Sequence, residues 1–172
     1  MKRTVLLLLA LAVAAGCTTV QRVRVAQPDL AVQWALLPIA NHTETPQAGL
    51  RAEAIAETAL RALGVQRLER YPASLNPETL LDPAERKAAD EATAWAKKAG
   101  ARYGVTGAVE EWRYKVGVDG EPAVGLTLSV IDLKSGAVVY TASGGKSGWS
   151  REALSAVAQK LVQELLAGIA QP

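Results

Sequence analysis

From residue 32 onward, apolar positions recur with a helical period, then alternate, then turn helical again. Val32-Gln-Trp-Ala-Leu-Leu-Pro-Ile39 is mostly apolar and predicts a strand, with Pro38 placing it at an end or an edge. The polar stretch Asn41–Gln47 reads as a loop, in which Thr45 can cap a helix whose first position is preset by Pro46. That helix is expected from about Pro46 to Leu63. Its apolar face is Ala48, Ala52, Ile55, Ala59 and Ala62, and Gly64 is placed to end it. A short strand near Val65 to Leu68 follows, then a proline-containing stretch from Tyr71 to Asp82. Asp82-Pro83-Ala84-Glu85 combines an N-cap, a first-turn proline and a capping-box glutamate. The second helix presents Ala88, Ala92, Trp95, Ala96 and Ala99. Lys97 and Lys98 sit in its last turn, where cations suit the helix dipole, and Gly100 closes it.

After Arg102 the period becomes two. Tyr103, Val105 and Val109 alternate with Gly104, Thr106 and Ala108, but beyond Glu110-Glu111 the apolar phase moves to Trp112, Tyr114 and Val116. A one-residue phase flip is the signature of a β-bulge, expected near Glu110. Asp119-Gly120 marks a hairpin turn into Val124, Leu126, Leu128 and Val130. Asp132-Leu-Lys-Ser-Gly136 marks a second, into Ala137–Ala142. Gly144–Trp149 reads as a loop, and Ser150 as the cap of a last helix with the stripe Leu154, Val157, Ala158, Leu161 and Leu165. The order β-α-β-α-β-β-β-α predicts a single α+β domain, an antiparallel or mixed sheet covered by helices.

The first residues change this picture. Met1-Lys2-Arg3 is basic, Val5–Ala15 is continuously apolar, and Ala14-Ala15-Gly16 places small residues before the only cysteine, Cys17. This is the layout of a secretory signal peptide. The apolar run falls short of the about 20 residues of a membrane span. Cys17 at the cleavage position makes the segment resemble a bacterial lipoprotein signal, with Ala14 where leucine is commonest. The expected organisation is a removed signal at 1–16, a lipidated tether at 17–30 that serves as a solvated spacer, and a periplasmic domain at 31–172. Cys17 would carry the acyl chains, and several chains together make a stable anchor. Thr18 follows, not the aspartate that retains lipoproteins at the inner membrane, so the expected address is the outer membrane.

Composition then narrows the function. The 172-residue chain is 49% hydrophobic and 21% charged, which is globular rather than disordered. Its formal charge of +2 belongs to the signal: without Lys2 and Arg3, 17 basic side chains face 17 acidic ones. No basic surface for nucleic acid is implied. One cysteine excludes an intramolecular disulfide framework, and no metal or cofactor is expected.

The residues able to carry chemistry form no catalytic pattern. Gly145-Lys146-Ser147 resembles the end of a phosphate-binding loop, but Tyr140 stands where the first glycine is needed. His42 is the sole imidazole and reads as a solvated loop residue. Glu110 and Glu111 are adjacent carboxylates in the strand region, and they converge on one side only if the bulge turns them. The chain is therefore read as non-enzymatic. Trp149, among Gly144, Gly145 and Gly148 and near Lys146, reads as a membrane-interface or partner anchor, with a lid over the core as the alternative. Asp119 and Glu121 occupy a hairpin end, where ordinary solvated turn chemistry explains them equally well.

Two segments carry a resemblance. Trp34-Ala-Leu-Leu-Pro-Ile-Ala-Asn-His-Thr-Glu-Thr-Pro-Gln-Ala-Gly-Leu-Arg51 and the loop Gly144-Gly-Lys-Ser-Gly-Trp149 resemble the PelC family of outer-membrane lipoproteins of Pel exopolysaccharide export. The lipoprotein signal and the element order agree with it. The resemblance implies a dodecameric ring under the outer membrane, working with the porin-like partner PelB. The ring would guide a cationic, partly deacetylated amino-sugar polymer through an electronegative funnel. Carried over, Trp149 is the membrane-facing residue, with Lys146 beside it, and Asp119 and Glu121 are the polymer-guiding acids. The alternative reading is a monomeric lipoprotein that activates an envelope synthase.

Overall fold

The computed structural model describes residues 18–75, 82–117 and 120–170. Cys17, Asp119 and the signal segment lie outside them. The chain forms β1 (Thr18–Arg24), β2 (Trp34–Asn41), α1 (Ala48–Ala62), β3 (Leu68–Arg70), a 3-10 turn (Ala73–Leu75) and α2 (Asp82–Lys98). It continues through β4 (Tyr103–Tyr114), β5 (Pro122–Asp132), β6 (Val138–Ser147), α3 (Leu154–Leu166) and a final 3-10 turn (Ala167–Ile169). The six strands make one mixed sheet in the order β1-β6-β5-β4-β2-β3. β2 is parallel to β3 and β4, and the other pairings are antiparallel. The α+β fold and the order of elements from β2 onward are as expected. No helix among the described residues is long and apolar enough to cross a membrane.

The addition to that order is β1. Thr18–Arg24, expected as part of a solvated tether, pairs with β6 over its whole length, Thr18 opposite Lys146 and Arg24 opposite Tyr140. Side chains from the strand and the segment after it fix it to the chain's other end. Arg22 donates to the Glu164 carbonyl, Arg24 to that of Gly168 at 3.3 Å, and Gln27 to that of Ile169 at 2.6 Å. Cations at the last carbonyls of α3 are favourably placed for its dipole.

The core lies between the sheet and α1 with α3. Alternate residues of the long strands (Val105 and Val109; Val124, Leu126, Leu128 and Val130; Tyr140 and Ala142) meet Ala52, Ala56, Leu60, Val157, Leu161 and Leu165. Alanine on α1 lets that helix approach closely, and Gly49 is required: an added Cβ would stand 2.1 Å from the Ile39 carbonyl oxygen. The bulge occurs as expected, with the β4–β5 register shifting between Val109 and Glu111, so that Trp112 stays on the core side. On the opposite face α2 covers only the β2 side of the sheet, through Ala35, Leu37, Tyr71, Ala92, Ala96 and Leu133.

Helix starts depart from the sequence reading. Gln47, not Thr45, is the N-cap of α1, in the left-handed region at φ 59°. The Thr45 hydroxyl instead donates to the Trp112 carbonyl across the loop. α3 begins after Ala153 rather than Ser150, because Arg151 (φ 73°) breaks the backbone before it. β3 begins at Leu68, and β6 runs on to Ser147 through residues expected to form a loop.

Candidate functional site

Strand directions gather one end of the sheet. β4 finishes there at Tyr114, β5 starts there at Pro122, β6 leaves it at Ser147, and β1 begins there at Thr18. The segments 41–47 and 148–153, together with residues 115–117 and 120–121, all emerge at this end.

Trp149 stands on it, held on a braced turn. Gly148 N–H bonds the Pro122 carbonyl at 2.9 Å, continuing the ladder by one residue, and Glu152 N–H closes the turn onto the Trp149 carbonyl at 3.0 Å. The Glu152 carboxylate accepts from Trp149 N–H at 3.2 Å and from Lys160 Nζ at 2.6 Å. The hydrogen bond from Lys160, helped by the Trp149 amide, outweighs desolvation and holds this carboxyl below the usual range. Gly148 is obligatory, since an added Cβ would meet Glu152 at 2.5 Å and Val157 at 2.6 Å. The tyrosine at the end of β4 supports the same turn: its hydroxyl accepts from Leu154 N–H at 3.1 Å and donates to the Glu152 carbonyl at 3.4 Å. With the backbone fixed, the indole is left 51% exposed, beside a hairpin that exposes Tyr114 and Val116. Large exposed rings on a rigid turn suit an interface, where an aromatic has an apolar body and a polar edge.

Lys146 does not share that surface. Its register puts it opposite Val124 on the helix-covered face, and its side chain is 15% exposed. The ammonium bonds Glu164 at 2.7 Å and the Thr18 hydroxyl at 2.6 Å. Three residues from the exposed tryptophan in sequence, it is an internal strut. Glu121 is exposed just before β5, and Lys115 N–H bonds its carbonyl at 2.7 Å. Asp119 lies outside the described residues.

The bulge does bring Glu110 and Glu111 to one side: the Cβ atoms of both lie within 4 Å of the position a Gly125 Cβ would take. Each already has a side-chain partner. Both Glu110 oxygens lie 3.3 Å from His42 Nδ1, and Glu111 bonds Arg113 Nε at 3.0 Å. His42, a solvated loop residue by its sequence context, is thus paired in the structure. Its pairing follows from the end of β2 lying beside the bulge, where His42 N–H bonds the Val109 carbonyl. Among the described residues, no three His, Cys, Asp or Glu side chains gather as a metal site.

The molecule is thus an α+β domain that presents an aromatic turn and a hairpin at one sheet end. Scans against protein families and curated proteins give no match. Solved structures do. A PelC dodecamer from Paraburkholderia phytofirmans is 41% identical, with a TM-score of 0.77 over 91% of this chain and 99% of that one. The chain belongs to the PelC family. The lipoprotein GNA1162 from Neisseria meningitidis shares the fold at 19% identity, with a TM-score of 0.54 over 81% of this chain and 98% of its own. The protein CT253 from Chlamydia trachomatis does so at 12%, with 0.53 over 81% and 96%.

Proposed function

We propose that this chain is a non-catalytic outer-membrane lipoprotein that assembles as a ring and guides a cationic exopolysaccharide toward an outer-membrane pore such as PelB. The observation that carries the reading is membership of the PelC family, whose Paraburkholderia phytofirmans member was solved as a dodecamer. Lipidation at Cys17 rests on the signal layout, and the exposed indole of Trp149 supports membrane seating at the same sheet end. In a ring, one acidic side chain per subunit becomes a closed band of like charge, so a chain with balanced charge can still present a strong local field. Asp119 and Glu121 on the 115–121 hairpin are the acids assigned to that band.

The test is the mass of the lipidated protein in detergent and in membranes, paired with polymer secretion from a deletion strain. A ring and lost secretion are expected. A monomer in both media, with secretion intact, gives the synthase-adapter reading instead. The same deletion strain complemented with Asp119→Asn/Glu121→Gln should assemble normally and export less.

A further inference from the structure

The turn that carries Trp149 puts an arginine where a glycine is favoured. Glu152 N–H bonds the Trp149 carbonyl at 3.0 Å, so Trp149-Ser150-Arg151-Glu152 is a closed β-turn with Arg151 at its third position. The backbone of Arg151 has φ 73°, in the left-handed region, and that of Ser150 before it does not. A turn of this pattern takes glycine at the third position, because a Cβ crowds the backbone in that conformation. Elsewhere among the described residues the left-handed positions are Gly64, Gly100, Gly120 and Gly136, with Gln47 as one further exception. Gln47 is at least engaged within the molecule, and its carbonyl accepts Arg51 N–H at 3.0 Å.

Arg151 gains no contact inside the fold in return. Other cations at this end do: Lys160 bonds Glu152 at 2.6 Å, Arg113 bonds Glu111 at 3.0 Å, and Lys115 bonds the Ser147 hydroxyl at 2.8 Å. Among the described residues, no hydrogen bond, ion pair or ring contact holds the Arg151 side chain, which is exposed. The acid beside it, Glu152, is already taken by Lys160 and by the Trp149 amide. An uncompensated guanidinium therefore stands two residues from an indole that is 51% exposed, on a backbone the turn holds still. Thr18, the residue after Cys17, lies at the same sheet end, opposite Lys146.

We propose that Arg151 is a lipid-headgroup site: its guanidinium takes the phosphate of an anionic phospholipid beside the Trp149 ring. The proposal rests on the membrane seating of this sheet end and adds the lipid chemistry selected there. A guanidinium offers a planar fork of donors that matches phosphate oxygens. Its stem lies along apolar surface while the charge stays at the water boundary, the depth that tryptophan also favours. Strained backbone at an exposed position is a mark of a functional site rather than of folding. A ligand outside the chain accounts for an arginine that the turn disfavours and that no group within the fold engages.

The experiment reconstitutes the lipidated full chain into vesicles of phosphatidylcholine with phosphatidylglycerol, brominated on the acyl chains of one lipid or the other, and reads tryptophan quenching. Trp34 and Trp112 are buried and Trp95 partly so, which leaves Trp149 to report. In the wild type, brominated phosphatidylglycerol should quench beyond its share, an enrichment of roughly fivefold around the ring for one cation at an anionic surface. Arg151→Gln should abolish the enrichment while quenching by brominated phosphatidylcholine persists, and Arg151→Lys should keep part of it. Arg151→Gly should also lose it, yet leave Tm unchanged or raise it by up to about 4 °C, because the turn is relieved. A fall in Tm for Arg151→Gly makes the arginine a structural residue and overturns the proposal. So does a wild type with no preference between the two lipids, or an enrichment that Arg151→Gln retains. A wild type quenched by neither lipid overturns the membrane seating of this end, and the proposal with it.

Discussion

Of the four tryptophans, Trp34 and Trp112 are buried at 0% and 3%, whereas Trp149 is half exposed on a turn the rest of the molecule holds still. Removing the Trp149 ring should therefore cost the fold little. Trp149→Ala is expected to shift stability by less than about 0.5 kcal/mol, as surface changes do, while binding to anionic vesicles falls and the most red-shifted emission disappears. A large loss of Tm would instead make it a lid over the core. Lys146→Ala should behave in the opposite way, because it strands Glu164 and releases Thr18. Its expected cost is about 1–2 kcal/mol of stability with vesicle binding unchanged, read by denaturant titration. From sequence the two residues looked like partners. They differ because β6 runs on through Ser147, and strand alternation then sends Lys146 to the helix-covered face.

Two carboxylates give the stability curve opposite acid-side slopes. Burial pushes Asp132 upward, but bonds from Lys134 N–H, Arg102 and Ser135 N–H together outweigh it and leave the carboxyl below its ordinary value. Asp132 thus stabilises above its unfolded-state value, and this is lost as pH falls through the lowered one. Asp132→Asn should flatten that acid limb. Glu53 is the reverse case. Desolvation dominates over the Ile39 N–H and the paired Arg70, so its carboxyl is raised. Its contribution is full below the unfolded-state value and declines as pH rises through the raised one. Glu53→Gln should remove that decline, and Glu53→Ala should cost about 2–4 kcal/mol by leaving Arg70 and the Ile39 amide without their carboxylate.

At the scale of elements, β4 and β5 were legible because their apolar residues keep period two, and the slip at Glu110 was legible as a change of phase. β1 was not. In Thr18–Arg24 the two valines fall on opposite faces, one toward the core and one outward, so the segment carries no apolar side. Its strand character comes from a free edge on β6 and from Arg22 and Arg24 reaching the end of α3. Arg22→Ala/Arg24→Ala is expected to lower protection of β1 amides in hydrogen exchange while β4 and β5 stay protected. Equal protection in the double variant would mean the ladder alone holds the strand.

At the scale of the molecule, the sheet has one face closed by two helices and the other only partly covered. The family, the α+β class and the aromatic at the 144–149 segment were readable in one dimension. The partly open face was not, because it arises from strands distant in sequence lying side by side.

The pairing of Thr18 with Lys146 has a consequence for how subunits meet. A thirteen-residue extended spacer would let a domain swing through about 40 Å. Here the residue next to Cys17 is already part of the ladder, so the proposed acyl chains are joined to the sheet with almost no slack. A domain leashed this short loses most of its freedom to tumble. Anchored as proposed, it would drift in the plane of the membrane with one side always up, and two such domains would approach each other already oriented. Much of the rotational entropy that a freely diffusing subunit gives up on docking is then surrendered at lipidation, before the first neighbour arrives.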